Sequence, residues 1–118
     1  MSAASKQYST AILITRNGMG HAEAELQQKL ITTYLTMLDE NDMLPGAICF
    51  YTDGVKLVVE GSPVLEVLKS LEAKGVHLVI CNTCLKYLNV TEKLQVGIVG
   101  GMHDIIAAQW QAEKVIAI

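Results

Sequence analysis

The sequence predicts an α/β fold, a parallel β-sheet with helices on both faces. Three observations carry this. Short, continuous apolar runs at residues 10–15, 47–51 and 76–80 suit strands that are covered on both sides. The stretches between them repeat apolar residues at helical spacing. Hydrophobic residues make up 51% of the chain but aromatics only 5%, so Val, Ile and Leu must fill the core. Strands alternating with helices form parallel sheets through crossover connections.

The first strand is residues 10–15, Thr-Ala-Ile-Leu-Ile-Thr, and Gly18 and Gly20 then break the chain. A helix is expected over residues 21–40, with Leu26, Leu30, Tyr34 and Leu38 on one face and Ile31 and Leu35 widening it. Glu23 and Glu25 fall in its first turn, where the helix dipole favours acids. Pro45-Gly46 is read as the stop, and residues 47–51 as the second strand. Asp53-Gly54 reads as a turn and residues 55–60 as a short helix. Ser62-Pro63 starts the next helix, which runs to about Lys74 and ends at Gly75. The third strand is 76–80, followed by a short helix over 83–88. Residues 95–99 form a short fourth strand, broken by Gly100-Gly101. A helix over 102–111 turns Ile105, Ile106 and Trp110 inward, and residues 114–118 make the last strand.

At 118 residues the chain is expected to form one domain over 1–118. Such a length buries roughly two thirds of the unfolded surface and needs no disulfide or metal to fold. A net charge of −3 and the absence of a Lys/Arg cluster argue against a nucleic-acid partner. Residues 1–9 are small and polar, unlike a secretory leader, and no apolar run approaches the ~20 residues that span a membrane. The expected setting is cytoplasmic, with no membrane partner.

In an open parallel sheet the loops at the carboxyl ends of the strands form the functional rim. Here those loops are residues 16–21, 52–54, 81–84 and 100–103. They hold two of the three His and two of the three Cys. Cys81-Asn82-Thr83-Cys84 stands out among them. It puts two thiols where a buried strand turns into a helix, with Cys81 at the cap and Cys84 one turn in. First-turn amides and the helix dipole are expected to lower a thiol pKa there. The resulting thiolate can attack a sulfane sulfur and hold it as a persulfide. The competing reading is that both cysteines are small buried hydrophobes. Cys49, inside Ala47-Ile48-Cys49-Phe50, reads as core filling.

Zinc would need a second CxxC or a closely spaced His pair, and neither is present, so no metal site is expected. A thioredoxin-like exchanger also sets CxxC after a strand, but here no Pro leads into a later strand. Asn17-Gly18-Met19-Gly20-His21 only faintly resembles a phosphate loop, lacking the third glycine of GxGxxG and the Lys-Ser/Thr of a P-loop. No cofactor is expected. Candidate substrate-binding residues on the rim are Asn17, Gly18, Met19, His21, Tyr51, Asp53, Met102 and His103. Each also has a plain reading as turn, core or solvated surface.

The stretches Ile12-Leu13-Ile14-Thr15-Arg16-Asn17-Gly18-Met19-Gly20, Phe50-Tyr51-Thr52-Asp53-Gly54-Val55-Lys56-Leu57, Val59-Glu60-Gly61-Ser62 and Cys81-Asn82-Thr83-Cys84-Leu85 carry a resemblance. With Ala112-Glu113-Lys114-Val115-Ile116 they make the chain similar to the DsrE/DsrF-like sulfur-relay family. The likeness is closer to the C-terminal domain of YedF-type proteins, described as sulfurtransferase-like and linked to selenium metabolism. It implies a three-layer α/β/α domain with a mainly parallel five-stranded sheet. It also implies homo-oligomers, and a persulfide taken from a donor protein and passed to an acceptor. Cys81 matches the family's acceptor position and Cys84 the extra Cys of the CxxC subset. YedF-type chains carry an upstream TusA-like domain that this sequence does not show, so the resemblance implies a TusA-like carrier in trans. Asn82 stands where related sequences often have Gly. The expected function is therefore a sulfur carrier with Cys81 as acceptor and Cys84 assisting. Two alternatives stay open, a non-catalytic oligomeric binding subunit and a dithiol redox protein using the same pair.

Overall fold

The computed structural model describes residues 7–118; residues 1–6, most of the stretch read as unlike a leader, lie outside it. Five strands, β1 (Gln7–Ile14), β2 (Leu44–Phe50), β3 (His77–Cys81), β4 (Ile98–Gly100) and β5 (Lys114–Ala117), form one sheet in the order β4-β3-β2-β1-β5. Every neighbouring pair is parallel. Four α-helices connect them, α1 (Ala24–Glu40), α2 (Leu65–Ala73), α3 (Asn82–Tyr87) and α4 (Met102–Gln111). No helix among the described residues is long and apolar enough to cross a membrane.

The strand order explains the layers. The chain steps one way across the sheet from β1 to β4, then reverses to lay β5 beside β1. With right-handed crossovers, steps in one direction put their helices on one face and the reversal puts the last helix on the other. The side chains follow this. Ile12, Ile14, Ile48, Phe50, Leu78 and Ile80 point to the first face and pack with Ile31, Leu35, Leu68, Leu71 and Leu85 from α1, α2 and α3. The alternate residues Leu13, Cys49 and Cys81 point to the second face, where Ile105 of α4 covers them. The two clusters together make the predicted α/β sandwich, with helices on both sides of an all-parallel sheet.

Several boundaries differ from the sequence reading, each for a local reason. α1 begins at Ala24, not residue 21, because the preceding loop curls back on it: Met19 N–H donates to the Gln27 carbonyl at 2.9 Å and Ala22 N–H to Gln27 Oε1 at 3.2 Å. Gly18, at φ 150°, lies so close to Gln27 that a side chain would overlap it. Pro45 and Gly46 lie inside β2 and do not stop α1. The stop is at Asn41 and Asp42, the latter at φ 52°. Register slips between Tyr8 and Ala11, opposite Pro45, which has no N–H to give the ladder. Residues read as a turn and then a helix form a single 3-10 helix, Thr52–Val58, after which Val59 bridges antiparallel to Leu94. α2 starts two residues later than its Ser-Pro signal, with Val64 N–H donating to Ser62 Oγ at 3.2 Å. Gly75, at φ 103°, follows the helix as expected.

α4 has the predicted bounds but not the predicted orientation. Ile105 is 2% exposed, whereas Ile106 is 47% and Trp110 84% exposed. Neighbours on a helix are ~100° apart, so Ile105 and Ile106 cannot both face the sheet, and Trp110 sits over Ile106, four residues on.

Candidate functional site

β3 carries Cys81 to the carboxyl edge of the sheet, in register with Gly100 of β4. The helix after β3 packs on the first face and the helix after β4 on the second. Their loops therefore diverge between these two strands, the kind of crevice where α/β sheets hold ligands. Cys81 stands at the N-cap of α3 but makes no capping hydrogen bond through its side chain. Its thiol turns inward, 3% exposed, against Leu13, Cys49 and Ile105.

Cys84, one turn on, is half-buried and packs against both core clusters. Its strongest partner comes from another loop. Thr52 N–H donates to Cys84 Sγ at 3.0 Å. Thr52 is exposed and adopts φ 49°, a left-handed conformation that is uncommon for a β-branched residue. Its Oγ1 lies 2.7 Å from the carbonyl oxygens of both Thr15 and Tyr51, giving its one proton two acceptors. Gly54 N–H donates to the Tyr51 carbonyl at 3.0 Å, and Gly54 lies so close to the Ile14 carbonyl that a β-carbon would overlap it. The ends of β1, β2 and β3 thus meet at Thr52. Tyr51 packs against the cluster of Leu13, Cys49, Cys81 and Ile105, as Cys84 does.

The electrostatics differ from the sequence expectation. Burial pushes the Cys84 thiol up, the Thr52 amide pulls it down, and the hydrogen bond and charge interaction with Cys81 raise it further. The net direction is up, not down. α3 has only six residues, too short a dipole to dominate, and the donor that does act on Cys84 belongs to the Thr52 loop. Cys49, fully buried, is raised from 9.0 to about 11 by burial alone. All three cysteines are free thiols.

The remaining rim candidates divide. Gly18 is buried, Asn17 and Met19 are half-buried, and Met19 packs against the first-face core. His21 is exposed. Asp53 turns to Lys56 at 3.2 Å, and His103, 87% exposed at its side chain, to Asp104 at 3.5 Å. Met102 is 58% exposed. Asp104 caps its own helix, accepting from Gly101 N–H at 2.8 Å. The polar contact at the cysteines is thus made by Thr52, while Tyr51 packs against the cluster that holds Cys81. Thr52 is the residue that sequence reasoning missed, and only its place before the Asp53-Gly54 turn hinted at it. No group of three or more His, Cys, Asp or Glu that could hold a metal occurs among the described residues.

Among the described residues, open grooves flank the sheet, two of them large. One, of about 450 Å³, runs along the second face past Ala11, Ala47, Val79, Ile98 and Ala108. The other, of about 770 Å³, lies over Ile12, Leu30, Tyr34, Met37 and Ile116. Neither is lined by Cys81 or Cys84.

Among solved structures, the chain is similar to MTH1491, a protein of unknown function from Methanobacterium thermoautotrophicum. The TM-score is 0.69 at 17% identity, covering 95% of this chain and all of that one. It is likewise similar to the ychN protein from E. coli, with TM-score 0.60, 17% identity and coverage of 95% and 99%. The conserved protein BT1422 from Bacteroides thetaiotaomicron, also of unknown function, aligns over the full length of both chains at TM-score 0.63 and 13% identity. At these identities the likenesses speak for the fold. No curated protein matches the chain. The model of the DsrE/DsrF-like family matches residues 9–118, nearly the whole sequence, and the chain therefore belongs to that family.

Proposed function

We propose that this chain is a sulfur carrier that holds a persulfide on its Cys81/Cys84 pair. The observation that carries the reading is the pair of free thiols at the carboxyl end of β3, Cys81 at the N-cap of α3 and Cys84 one turn in, the latter met by the Thr52 N–H and only partly buried. A carrier needs an open rim more than a deep pocket, because its substrate arrives as the thiol end of another protein. The cysteine edge is such a rim, and both large grooves lie elsewhere.

The transfer balances without an oxidant. A thiolate of the pair attacks the outer sulfur of a donor persulfide. The donor's S–S bond breaks, its inner sulfur leaves as a thiolate, and the outer sulfur stays on the carrier as a sulfane S–H. Passing the sulfur to an acceptor thiolate repeats the step with the roles exchanged. The proposed partners are sulfur donor and acceptor proteins, a TusA-like carrier among them, and the proposed setting is the cytoplasm, where thiols stay reduced. The exposed rim residues His21, Asp53, Met102 and His103, with the half-buried Asn17 and Tyr51, form the surface against which a partner would dock, while Gly18 and Met19 lie behind it.

The reading is tested by incubating the protein with a low-molecular-weight persulfide and mapping adducts by mass spectrometry. Gain of one sulfur atom on the pair, lost in the Cys81→Ser/Cys84→Ser double variant, is expected. Unmodified cysteines throughout would end the proposal. Two free thiols one helical turn apart also suit a second reading, a dithiol redox couple. Its mark would be a reversible Cys81–Cys84 disulfide at potentials accessible to glutathione.

A further inference from the structure

Resting on the sulfur-carrier reading, we propose that Cys84, not Cys81, bonds the transferred sulfur, and that Thr52 is the positioning residue that holds its thiolate. The acceptor thiol must be met by the sulfur of a second protein. Cys81 is 3% exposed and closed in by Leu13, Cys49 and Ile105, beneath α4. Cys84 lies where the two layers meet at the rim, half-buried, beside an exposed Thr52. The attacking sulfur that a donor can reach is therefore the one at position 84.

Thr52 supplies what the six-residue α3 does not. Its N–H points at Cys84 Sγ from 3.0 Å, close for an atom as large as sulfur. The conformation that aims it is unfavourable for threonine, at φ 49°, and is held by outside anchors. These are Oγ1 on the Thr15 carbonyl and the Gly54 turn seated against Ile14. A fixed amide aimed at a site of negative charge needs no rearrangement when the charge forms, which is how preorganised donors stabilise anions. It also opposes the burial that raises this thiol. Cys81, buried at the N-cap of α3 one turn before Cys84, then serves as the inner partner of the pair.

Two measurements decide the matter. Adduct mapping is run on the wild type, Cys81→Ser and Cys84→Ser with the same persulfide donor. Sulfur on Cys84 in the first two proteins and none in the third is the expected result. Sulfur on Cys81 that persists in Cys84→Ser overturns this inference and leaves the carrier reading standing. Sulfur on neither cysteine ends both. For Thr52, the pH profile of Cys84 alkylation is followed by peptide mapping in Thr52→Gly and Thr52→Ser. Glycine accepts the positive φ but loses the hydroxyl anchor, so the loop folds yet no longer pins its amide. Its alkylation near neutral pH should fall roughly fivefold, the factor one hydrogen bond represents, and its inflection should move upward. Thr52→Ser keeps the anchor and should restore the wild-type profile. A Thr52→Gly profile that coincides with the wild type would remove Thr52 from the assignment.

Discussion

One residue, Thr52, ties the ends of β1 and β2 to Cys84 on the helix after β3, its hydroxyl donating to the Thr15 or Tyr51 carbonyl and its N–H to the sulfur. The sequence marks Cys81 and Cys84 as the chemistry-bearing residues by spacing alone. It does not mark Thr52, because a positive φ on a β-branched residue comes from tertiary anchors more than 30 positions away in the chain, the Thr15 carbonyl among them. Nor does spacing reveal which thiol is open, since Ile105, on the last helix, covers Cys81. Cys49 gives a separate residue-scale prediction. Its pKa is about 11 in the fold and lies near 9.0 when the thiol is free. A raised pKa means that the unfolded chain loses its proton first, so stability is full below about pH 8.5 and falls as pH rises toward 11. The loss should reach on the order of 2–3 kcal/mol by pH 11. Urea unfolding between pH 8 and 11 should show a shallower decline in Cys49→Ala than in the wild type.

At the scale of elements, α4 was legible in its bounds and illegible in its facing. Its apolar residues spread over more than one stripe, with Ile105 on one side and Ile106 and Trp110 on another. A helix buried on one face should show a single stripe, so the sequence pattern fits a helix touched from two directions. Pro45 was misleading in the opposite sense. It punctuates helices dependably, but here it follows the true stop and is absorbed at the start of a parallel strand. Residues 52–58 were hard to assign because seven residues wound as a 3-10 helix show neither strand nor α-helical period. The energetic consequence sits on Ile105, the fully buried anchor of α4 on the second face. Ile105→Ala should cost roughly 2–5 kcal/mol in chemical denaturation. It should also expose Cys81 to alkylation. Trp110→Ala should change the unfolding free energy of the dilute protomer by less than about 0.5 kcal/mol.

For the whole molecule, the reversal of strand order leaves the second face short of cover. A ten-residue helix about 10 Å wide spans only part of five strands set ~4.8 Å apart. Ile98, Met102, Ile106 and Trp110 remain exposed on it or beside it, a surface that suits association. We propose on this ground the homo-oligomer that the family resemblance implies. Sedimentation at micromolar concentration should give a mass above the 12.8 kDa of one chain, and Ile106→Asp should lower it. A wild type that sediments at 12.8 kDa at all concentrations would remove that proposal.

Since all strands run the same way, β5 ends at the edge that bears the thiols, with Ile118 N–H donating to the Leu13 carbonyl at 3.1 Å. Three strand spacings, about 14 Å, separate β5 from β3. A nitroxide or fluorophore placed at Ile118 would therefore stand on the same edge as the cysteine loop. It would respond when a visiting protein settles there, giving an optical or magnetic readout of docking that leaves both sulfur atoms untouched.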